Sequence, residues 1–148
     1  MRKKLRAALG TVVLTTATLA PVALGASAAH AAELQCNTVS YTWQLRNGEQ
    51  LFMPSLYPSF TPYDCVVIRG MRDSGPGGPV RQLQVSLWMC YDKHYVVGDG
   101  DFGPLTERAV REVQAQVGVK ADGRYGPKTR AAMKHQASRE GWCFHTYD

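Results

Sequence analysis

Two copies of one eight-residue phrase determine how this chain folds: Asp99–Thr106 reads DGDFGPLT, and Asp122–Thr129 reads DGRYGPKT. The copies begin 23 residues apart, five of their eight positions are identical, and a sixth exchanges Phe for Tyr. Each copy contains Gly-Pro, which is typical of a helix start because the missing N–H of proline is tolerated at the first helical position. Two copies are too few for a solenoid, so the repeat predicts one turn-to-helix device used twice in a small domain.

Helical periodicity surrounds both copies of the repeat. A first stripe predicts a helix with Trp88 in the core, and its members are Val80, Leu83, Gln84, Leu87, Trp88 and Tyr91. A second stripe begins after Pro104 and ends at Gly118, with Thr106, Ala109, Val110, Val113 and Val117. A weaker third stripe begins after Pro127 and ends near Gly141, with Thr129, Ala132, Met133 and Gln136. The pattern predicts a mainly α protein with an orthogonal three-helix bundle.

The chain before residue 74 has β character instead. Side chains alternate from Thr38 to Leu45, Asn47-Gly48 is a favoured type I′ hairpin turn, and Glu49–Leu56 returns as a second strand. Cys65–Ile68 is a candidate third strand. A Gly- and Pro-rich stretch then separates this part from the helices. The predicted organisation is a signal peptide at 1–31, a disulfide-stapled β-hairpin extension at 32–73, a hinge at 74–79 and the helical domain at 80–143.

The first 31 residues have the pattern of a secretory signal peptide. Arg2–Arg6 is basic, Ala7–Leu24 is apolar, and small residues follow up to Ala32. The alternative is a membrane anchor, but the apolar stretch contains Thr, Pro and Gly and ends in cleavable sequence. No later segment approaches the roughly 20 apolar residues that span a bilayer. We therefore predict a secreted protein, extracellular or associated with the cell wall, that does not bind the membrane after cleavage.

Charge is distributed unevenly along the chain. Residues 33–107 carry five Lys/Arg and eight Asp/Glu, whereas residues 108–139 carry eight Lys/Arg and two acids. This asymmetry favours an anionic partner, such as a wall polymer with carboxylates and phosphates, or nucleic acid. A solvated helix surface is an equally good interpretation. Secretion and the lack of a recognisable docking element argue against nucleic acid, which we do not expect as a partner.

Four cysteines lie after the signal segment: Cys36, Cys65, Cys90 and Cys143. An even number in a small secreted chain predicts two disulfides, for which three pairings are open. We favour Cys36–Cys65 and Cys90–Cys143, so that each bridge closes one structural unit. Zinc is the alternative, but no pair has C-x-x-C spacing and the histidines are scattered.

Patterns that carry catalysis are missing from the sequence. Asp99-x-Asp101-x-Gly103 lacks the remaining ligands of a calcium loop, and no two histidines have zinc-peptidase spacing. Cys143-Phe144-His145 suggests a thiolate pair, but Cys143 has an expected disulfide partner. Glu107 and Glu112 are five residues apart on one helix and do not face each other as glycosidase carboxylates do. We predict a protein that is not an enzyme and that needs no cofactor or metal.

The ordered motif from Val80 to Gln136 resembles the peptidoglycan-binding domain 1 family. It reads Val80-x-x-Leu83-Gln84, then both copies of the repeat with Gln114 and Gly118-Val119 between them. The resemblance implies a three-helix module that binds peptidoglycan. Two positions depart from the family pattern: Val113 replaces a usual aromatic residue, and Arg130 stands where Trp is frequent. The N-terminal extension is not covered by the resemblance.

Most of the repeated motif is interpreted as architecture. Phe102 and Tyr125 are expected to fill the core, and Gln84 and Gln114 to hold the turns by hydrogen bonds. A helix N-terminus attracts carboxylates, so we place the ligand contact at the start of the third helix. The predicted ligand-binding residues are the cations Arg124, Lys128 and Arg130, with Tyr91, Tyr95 and Tyr125 as stacking surfaces for sugar or peptide.

Two functional hypotheses follow from these patterns. The first is an exported, non-catalytic protein that binds peptidoglycan or another anionic wall polymer and presents its N-terminal extension to a secreted protein partner. The second is an exported protein-interaction or inhibitory domain that keeps the three-helix scaffold without glycan affinity, since fold alone does not fix function.

Overall fold

The computed structural model describes residues 33–43, 49–139 and 141–146. The predicted signal peptide and the Asn47-Gly48 turn lie outside these residues. Three helices form the larger part of the regular structure: α1 (Pro79–Tyr91), α2 (Pro104–Gln116) and α3 (Pro127–Ala132). Four short strands accompany them: β1 (Thr38–Trp43), β2 (Gln50–Ser55), β3 (His135–Gln136) and β4 (Cys143–Phe144).

Both repeat copies start a helix as the sequence predicts. Gly103 and Gly126 have extended backbone and precede prolines at the first helical positions of α2 and α3. Gly78 and Pro79 begin α1 in the same way. The described helices thus share one Gly-Pro start, and the fold is mainly helical.

The third helix is shorter than its sequence stripe predicts. It ends at Ala132, and His135 and Gln136 pair with Phe144 and Cys143 as a two-stranded antiparallel sheet. The reason is competition for backbone groups. Lys134 N–H donates to the Tyr91 hydroxyl of α1 (2.6 Å), and the Arg130 carbonyl is bonded by the His135 ring (3.0 Å). The groups that would extend the helix are therefore used by tertiary contacts.

The strands β1 and β2 pair in antiparallel register from Thr38–Ser55 to Trp43–Gln50. The candidate third strand at residues 65–68 forms only isolated bridges: Val66 pairs with Gln35, and Val67 pairs with Tyr125. Disulfides join Cys36 to Cys65 and Cys90 to Cys143, which are the pairs favoured from the sequence.

Each repeat copy folds around a buried glutamine amide. Gln84 Nε2 donates to Asp99 Oδ1 (2.8 Å), the Asp101 carbonyl (2.9 Å) and Thr106 Oγ1 (3.1 Å), while its Oε1 accepts Gly100 N–H (2.9 Å). The amide thus supplies donors and an acceptor to one tight turn, whose Gly100 has a positive φ of 77°.

The second copy repeats this network. Gln114 Nε2 lies 2.9 Å from Asp122 Oδ1, the Arg124 carbonyl and Thr129 Oγ1, and its Oε1 accepts Gly123 N–H (2.8 Å). Both glutamines are 1% exposed. The role expected for the two glutamines is therefore confirmed.

The extension runs across both repeat loops. Val67 exchanges two backbone hydrogen bonds with Tyr125 (2.8 and 3.0 Å). Four residues later, Met71 accepts a bond from Phe102 N–H (2.9 Å), and Gly70 N–H donates to the Phe102 carbonyl (3.0 Å). The backbone on either side of each core aromatic is thereby paired with the extension.

Asp73 connects the Gly- and Pro-rich stretch to α1 by hydrogen bonds. Its two carboxylate oxygens accept the N–H groups of Val80 (3.0 Å) and Arg81 (2.8 Å), and its own N–H donates to the Gly100 carbonyl (2.9 Å). A carboxylate at this position satisfies free N–H groups and complements the helix dipole. A Cβ at Gly78 would overlap this carboxylate, which explains the glycine.

The main core lies between the helices and the repeat loops. Its fully buried side chains are Val67, Val80, Leu83, Leu87, Phe102, Ala109, Val110, Val113, Tyr125 and Met133. Leu51 and Met53 of β2 form a smaller cluster with Ala137. The prediction for Trp88 is wrong: it is 47% exposed and its ring contacts His94, because Leu83 and Leu87 already fill the inner face of α1.

Replacement of Gln114 by Ala should reduce the free energy of unfolding by about 2–3 kcal/mol, because the buried Gly123 N–H loses its acceptor. Gln116→Ala is the matched control: Gln116 is exposed on the same helix, and the change should stay within about 0.5 kcal/mol. Chemical denaturation followed by circular dichroism measures both. Equal stability of the two variants would contradict the structural role of the amide.

Candidate functional site

Two of the predicted ligand-binding residues are buried in the core. Tyr125 is 1% exposed and its ring packs edge-on against His135 (centroids 6.0 Å apart). Tyr91 is 9% exposed, and its hydroxyl accepts the Lys134 N–H. Neither ring has a free face, so the prediction that they stack on a ligand is wrong. Tyr91 lies on the first apolar stripe and Tyr125 is the aromatic residue of the second repeat copy, and both positions indicated the core.

The three predicted cations lie at the start of α3 with different surroundings. Arg124 forms an ion pair with Glu33. Lys128 is exposed and makes no ion pair with the described residues. Arg130 is partly buried and lies over the Tyr63 ring of the extension, 5.0 Å from its centroid. This contact gives Arg130 an apolar partner at the position where the family favours Trp.

Several Lys and Arg side chains around α3 have no carboxylate partner among the described residues. Within residues 76–139 of the described chain, every Asp and Glu side chain has a hydrogen-bonding or ionic partner: Asp92, Asp99, Asp101, Glu107, Glu112 and Asp122. In the same range, Arg81, Lys128, Arg130 and Lys134 have no carboxylate within ion-pair distance. Three of these four lie between residues 128 and 134. We call Lys128, Arg130 and Lys134 the α3 cations.

Buried polar atoms without a partner gather beneath Arg130. Among the described residues, Arg130 Nε, Tyr125 Oη and His135 Nδ1 are inaccessible and make no hydrogen bond. His135 Nε2 donates to the Arg130 carbonyl, so Nδ1 is the unprotonated nitrogen. Burial lowers the pKa of His135 to about 4, and the ring is neutral near pH 7. His135, which is bonded to Arg130, therefore adds no charge beside the α3 cations near pH 7.

Tyr95 belongs to a separate cluster on α2. Glu112 Oε2 accepts from Lys93 Nζ (3.0 Å) and the Tyr95 hydroxyl (2.9 Å), and Oε1 accepts from Arg108 Nε (2.8 Å). The Arg108 guanidinium also lies over the Tyr95 ring, 5.2 Å from its centroid. Bonds from Lys93, Tyr95 and Arg108 lower the pKa of Glu112 from 4.5 to about 2. No contact among the described residues joins Tyr95 to the α3 cations.

The Glu112 cluster was not predicted from the sequence. The i, i+4 spacing of Arg108 and Glu112 was a visible signal for the ion pair. Lys93 and Tyr95 join from the loop after α1, which no local spacing indicates. The predicted site is therefore divided: Arg124, Lys128 and Arg130 lie around α3, whereas Tyr95 lies beside α2.

A cleft of about 570 Å³ lies elsewhere, between residues 35–38 and 70–79. Its cation Arg72 is paired with Asp101 (2.7 Å), and the Asp73 carboxylate is used by α1. The charged lining residues of the cleft, Arg72 and Asp73, thus both have partners. In the part of the chain that the structure describes, no group of His, Cys, Asp or Glu is arranged to hold a metal, and no helix is long and apolar enough to cross a membrane.

Glu112→Gln should reduce the acid sensitivity of stability. Since the folded-state pKa of Glu112 lies below 4.5, its contribution is present above that pH and is lost as the pH falls towards 2. The variant should lose less stability than the original chain between pH 4.5 and 2, as thermal unfolding at a series of pH values would measure.

The same titration contains an internal control. Because the pKa of buried His135 is lowered from 6.5 to about 4, both proteins should lose stability equally as the pH falls from 6.5 to about 4.5. If the stability of the two proteins fell in parallel below pH 4.5, the contribution of Glu112 to stability would be contradicted.

Comparison with known proteins supports one family for the helical part. Residues 76–133 match the model of the family described as "Putative peptidoglycan binding domain". The chain is also similar to an uncharacterized protein in the bpoA1 3′ region of Kitasatospora aureofaciens, with 37% identity over 70 residues. That match covers 45% of this chain and 59% of the relative, and no solved structure matches significantly. The match places the likeness to the peptidoglycan-binding domain 1 family in residues 76–133.

Proposed function

We propose that this protein is an exported, non-catalytic peptidoglycan-binding protein of the cell wall. The family match at residues 76–133 carries the proposal. The signal-peptide pattern of residues 1–31 supports export, and so do the two disulfides, because such bonds persist in oxidising compartments outside the cytoplasm.

The α3 cations are the proposed contact for wall carboxylates, with Arg124 next to them in the chain. Their positive charge is not neutralised by carboxylates of the described residues, so an external anion has no competitor among these residues. The ammonium group of Lys128 is an exposed point charge. The guanidinium of Arg130 is held over the Tyr63 ring, so its hydrogen-bond donors point in a fixed direction. Exposed charge pairs of this kind are screened by salt. Binding should therefore weaken as ionic strength rises.

A binding role is also favoured over catalysis by the state of the reactive side chains. All four cysteines are in disulfides, so none supplies a thiolate. His135 is fully buried with its pKa lowered to about 4, and it has no access to a substrate. Both observations support the non-catalytic assignment.

The finer architecture is part of the same proposal. We take α1, α2 and α3 to cross in the orthogonal arrangement expected of the family. We also take residues 32–73 to be a β-hairpin extension that the stretch at 74–79 joins to the helical domain at 80–143. Asp73 and Val67 form hydrogen bonds with the helical part. These bonds support an extension that packs against the helical domain rather than one joined to it only by a linker.

Lys128→Glu should weaken retention of the mature protein on insoluble peptidoglycan about three- to tenfold at low ionic strength, because one exposed attraction becomes a repulsion. Arg81→Glu is the matched control, since it changes the net charge equally but lies on α1. Sedimentation with purified sacculi across a salt series measures both. Retention of the original protein should decrease with salt.

Two outcomes would contradict the proposal in different ways. Full recovery of the original protein in the supernatant at low salt would remove peptidoglycan binding. Equal losses for the Lys128 and Arg81 variants would keep the binding but remove the assignment to the α3 cations.

A further inference from the structure

The extension presents two large rings to solvent on one short loop. In this aromatic loop (residues 56–62), Tyr57 is 74% exposed and Phe60 is fully exposed. Neither ring packs on either core cluster. Folding therefore gives no account of why this loop carries two aromatic side chains.

The backbone of the aromatic loop is fixed at both ends. Asn37 Nδ2 donates to the Tyr57 carbonyl (2.7 Å), and Tyr57 N–H donates back to Asn37 Oδ1 (2.8 Å). Leu56 N–H closes the loop by donating to the Pro62 carbonyl (2.7 Å). Asn37 itself follows the disulfide-bonded Cys36. The backbone that carries the two rings is thus held by the scaffold, which lowers the backbone entropy lost when a ligand binds.

The loop is also uncharged. Residues 50–63 contain no Asp, Glu, Lys or Arg, although charged residues make up 20% of the chain. Ser59 and Thr61 contribute hydroxyl groups between the aromatic positions. The chemistry of this surface suits a neutral ligand that has both C–H faces and hydroxyl groups.

The size of the aromatic surface selects a small ligand rather than a protein. An aromatic side chain buries about 150–250 Å² when it is covered, so two rings offer roughly 300–500 Å². A stable protein interface needs about 800 Å² from each partner. A sugar ring fits better, because its C–H groups can contact the electron-rich face of an aromatic ring.

The aromatic loop is linked to the α3 cations through Tyr63. This residue follows directly after the loop, and its ring lies beneath the Arg130 guanidinium. The neutral aromatic loop is therefore adjacent in the chain to the residue that contacts Arg130, one of the α3 cations. Peptidoglycan has the matching chemistry, with neutral sugar rings beside acidic peptides.

We propose that Tyr57 and Phe60 form a sugar-stacking site for the glycan strand of peptidoglycan. This inference rests on the proposed function and assigns the N-terminal extension a part in it. The aromatic loop contacts the N-acetylated sugar rings, while the α3 cations contact the peptide carboxylates.

The test uses a neutral β-1,4-linked tetramer of N-acetylglucosamine as the probe, with NMR titration of the mature protein. Binding should shift the signals of the aromatic loop and should not depend on salt. Tyr57→Ala/Phe60→Ala should weaken it about tenfold. Trp88→Ala, which removes an exposed ring on α1, is the matched control and should leave it unchanged.

A second pair of variants tests whether the ring face is the contact. Phe60→Trp should keep the binding, and Phe60→Leu should weaken it although Leu is apolar. Since these side chains are exposed, all variants should unfold at the same temperature as the original chain. Equal binding by Phe60→Leu and the original protein, or by the Tyr57/Phe60 double variant and the original protein, would overturn the proposal.

Parallel sedimentation with sacculi separates the two levels of inference. Retention on sacculi without binding of the tetramer overturns the sugar-stacking site and keeps the proposed function. Binding of the tetramer at the aromatic loop without retention on sacculi overturns the proposed function and supports the stacking site. Failure of both probes overturns both.

Discussion

Two buried amide side chains are the interaction on which the structure depends. The repeat loops must turn inside the protein, because Phe102 and Tyr125 carry them into the core. A buried turn leaves N–H and carbonyl groups that water cannot reach, and each would be costly without a partner. Gln84 and Gln114 supply a donor and an acceptor from one side chain, and so position the proline that starts the next helix. The repeated sequence is a repeated solution to one hydrogen-bonding problem.

The extension is an integral part of this structure. Its backbone pairs with both repeat loops, which would otherwise have unpaired edges open to other chains. It also brings Tyr63 beneath Arg130, a polar residue at a position where the family favours a large apolar one. Arg130, which departs from the family pattern, and Tyr63, which belongs to the extension, thus contact each other. Function proposed for the helical domain therefore involves the extension as well.

Local signals in the sequence were sufficient for the helix starts, because Pro104 and Pro127 act through their own backbone geometry. They were insufficient where distant groups compete. The end of α3 depends on the hydroxyl of Tyr91, more than forty residues earlier in the chain. Trp88 lies on the edge of an apolar stripe, and periodicity alone does not say how wide the buried face is. At the candidate site, the ion pair of Glu112 with its own helix was visible, but its partners from the preceding loop were not.

The order of the cysteines has a consequence for maturation. The two bridges follow one another along the chain without overlap, and they close spans of 29 and 53 residues. A polypeptide that emerges from a translocation channel with its N-terminus leading releases Cys36 and Cys65 before Cys90. For the exported protein proposed above, oxidation in order of emergence gives the observed pairing directly and requires no reshuffling of mispaired thiols.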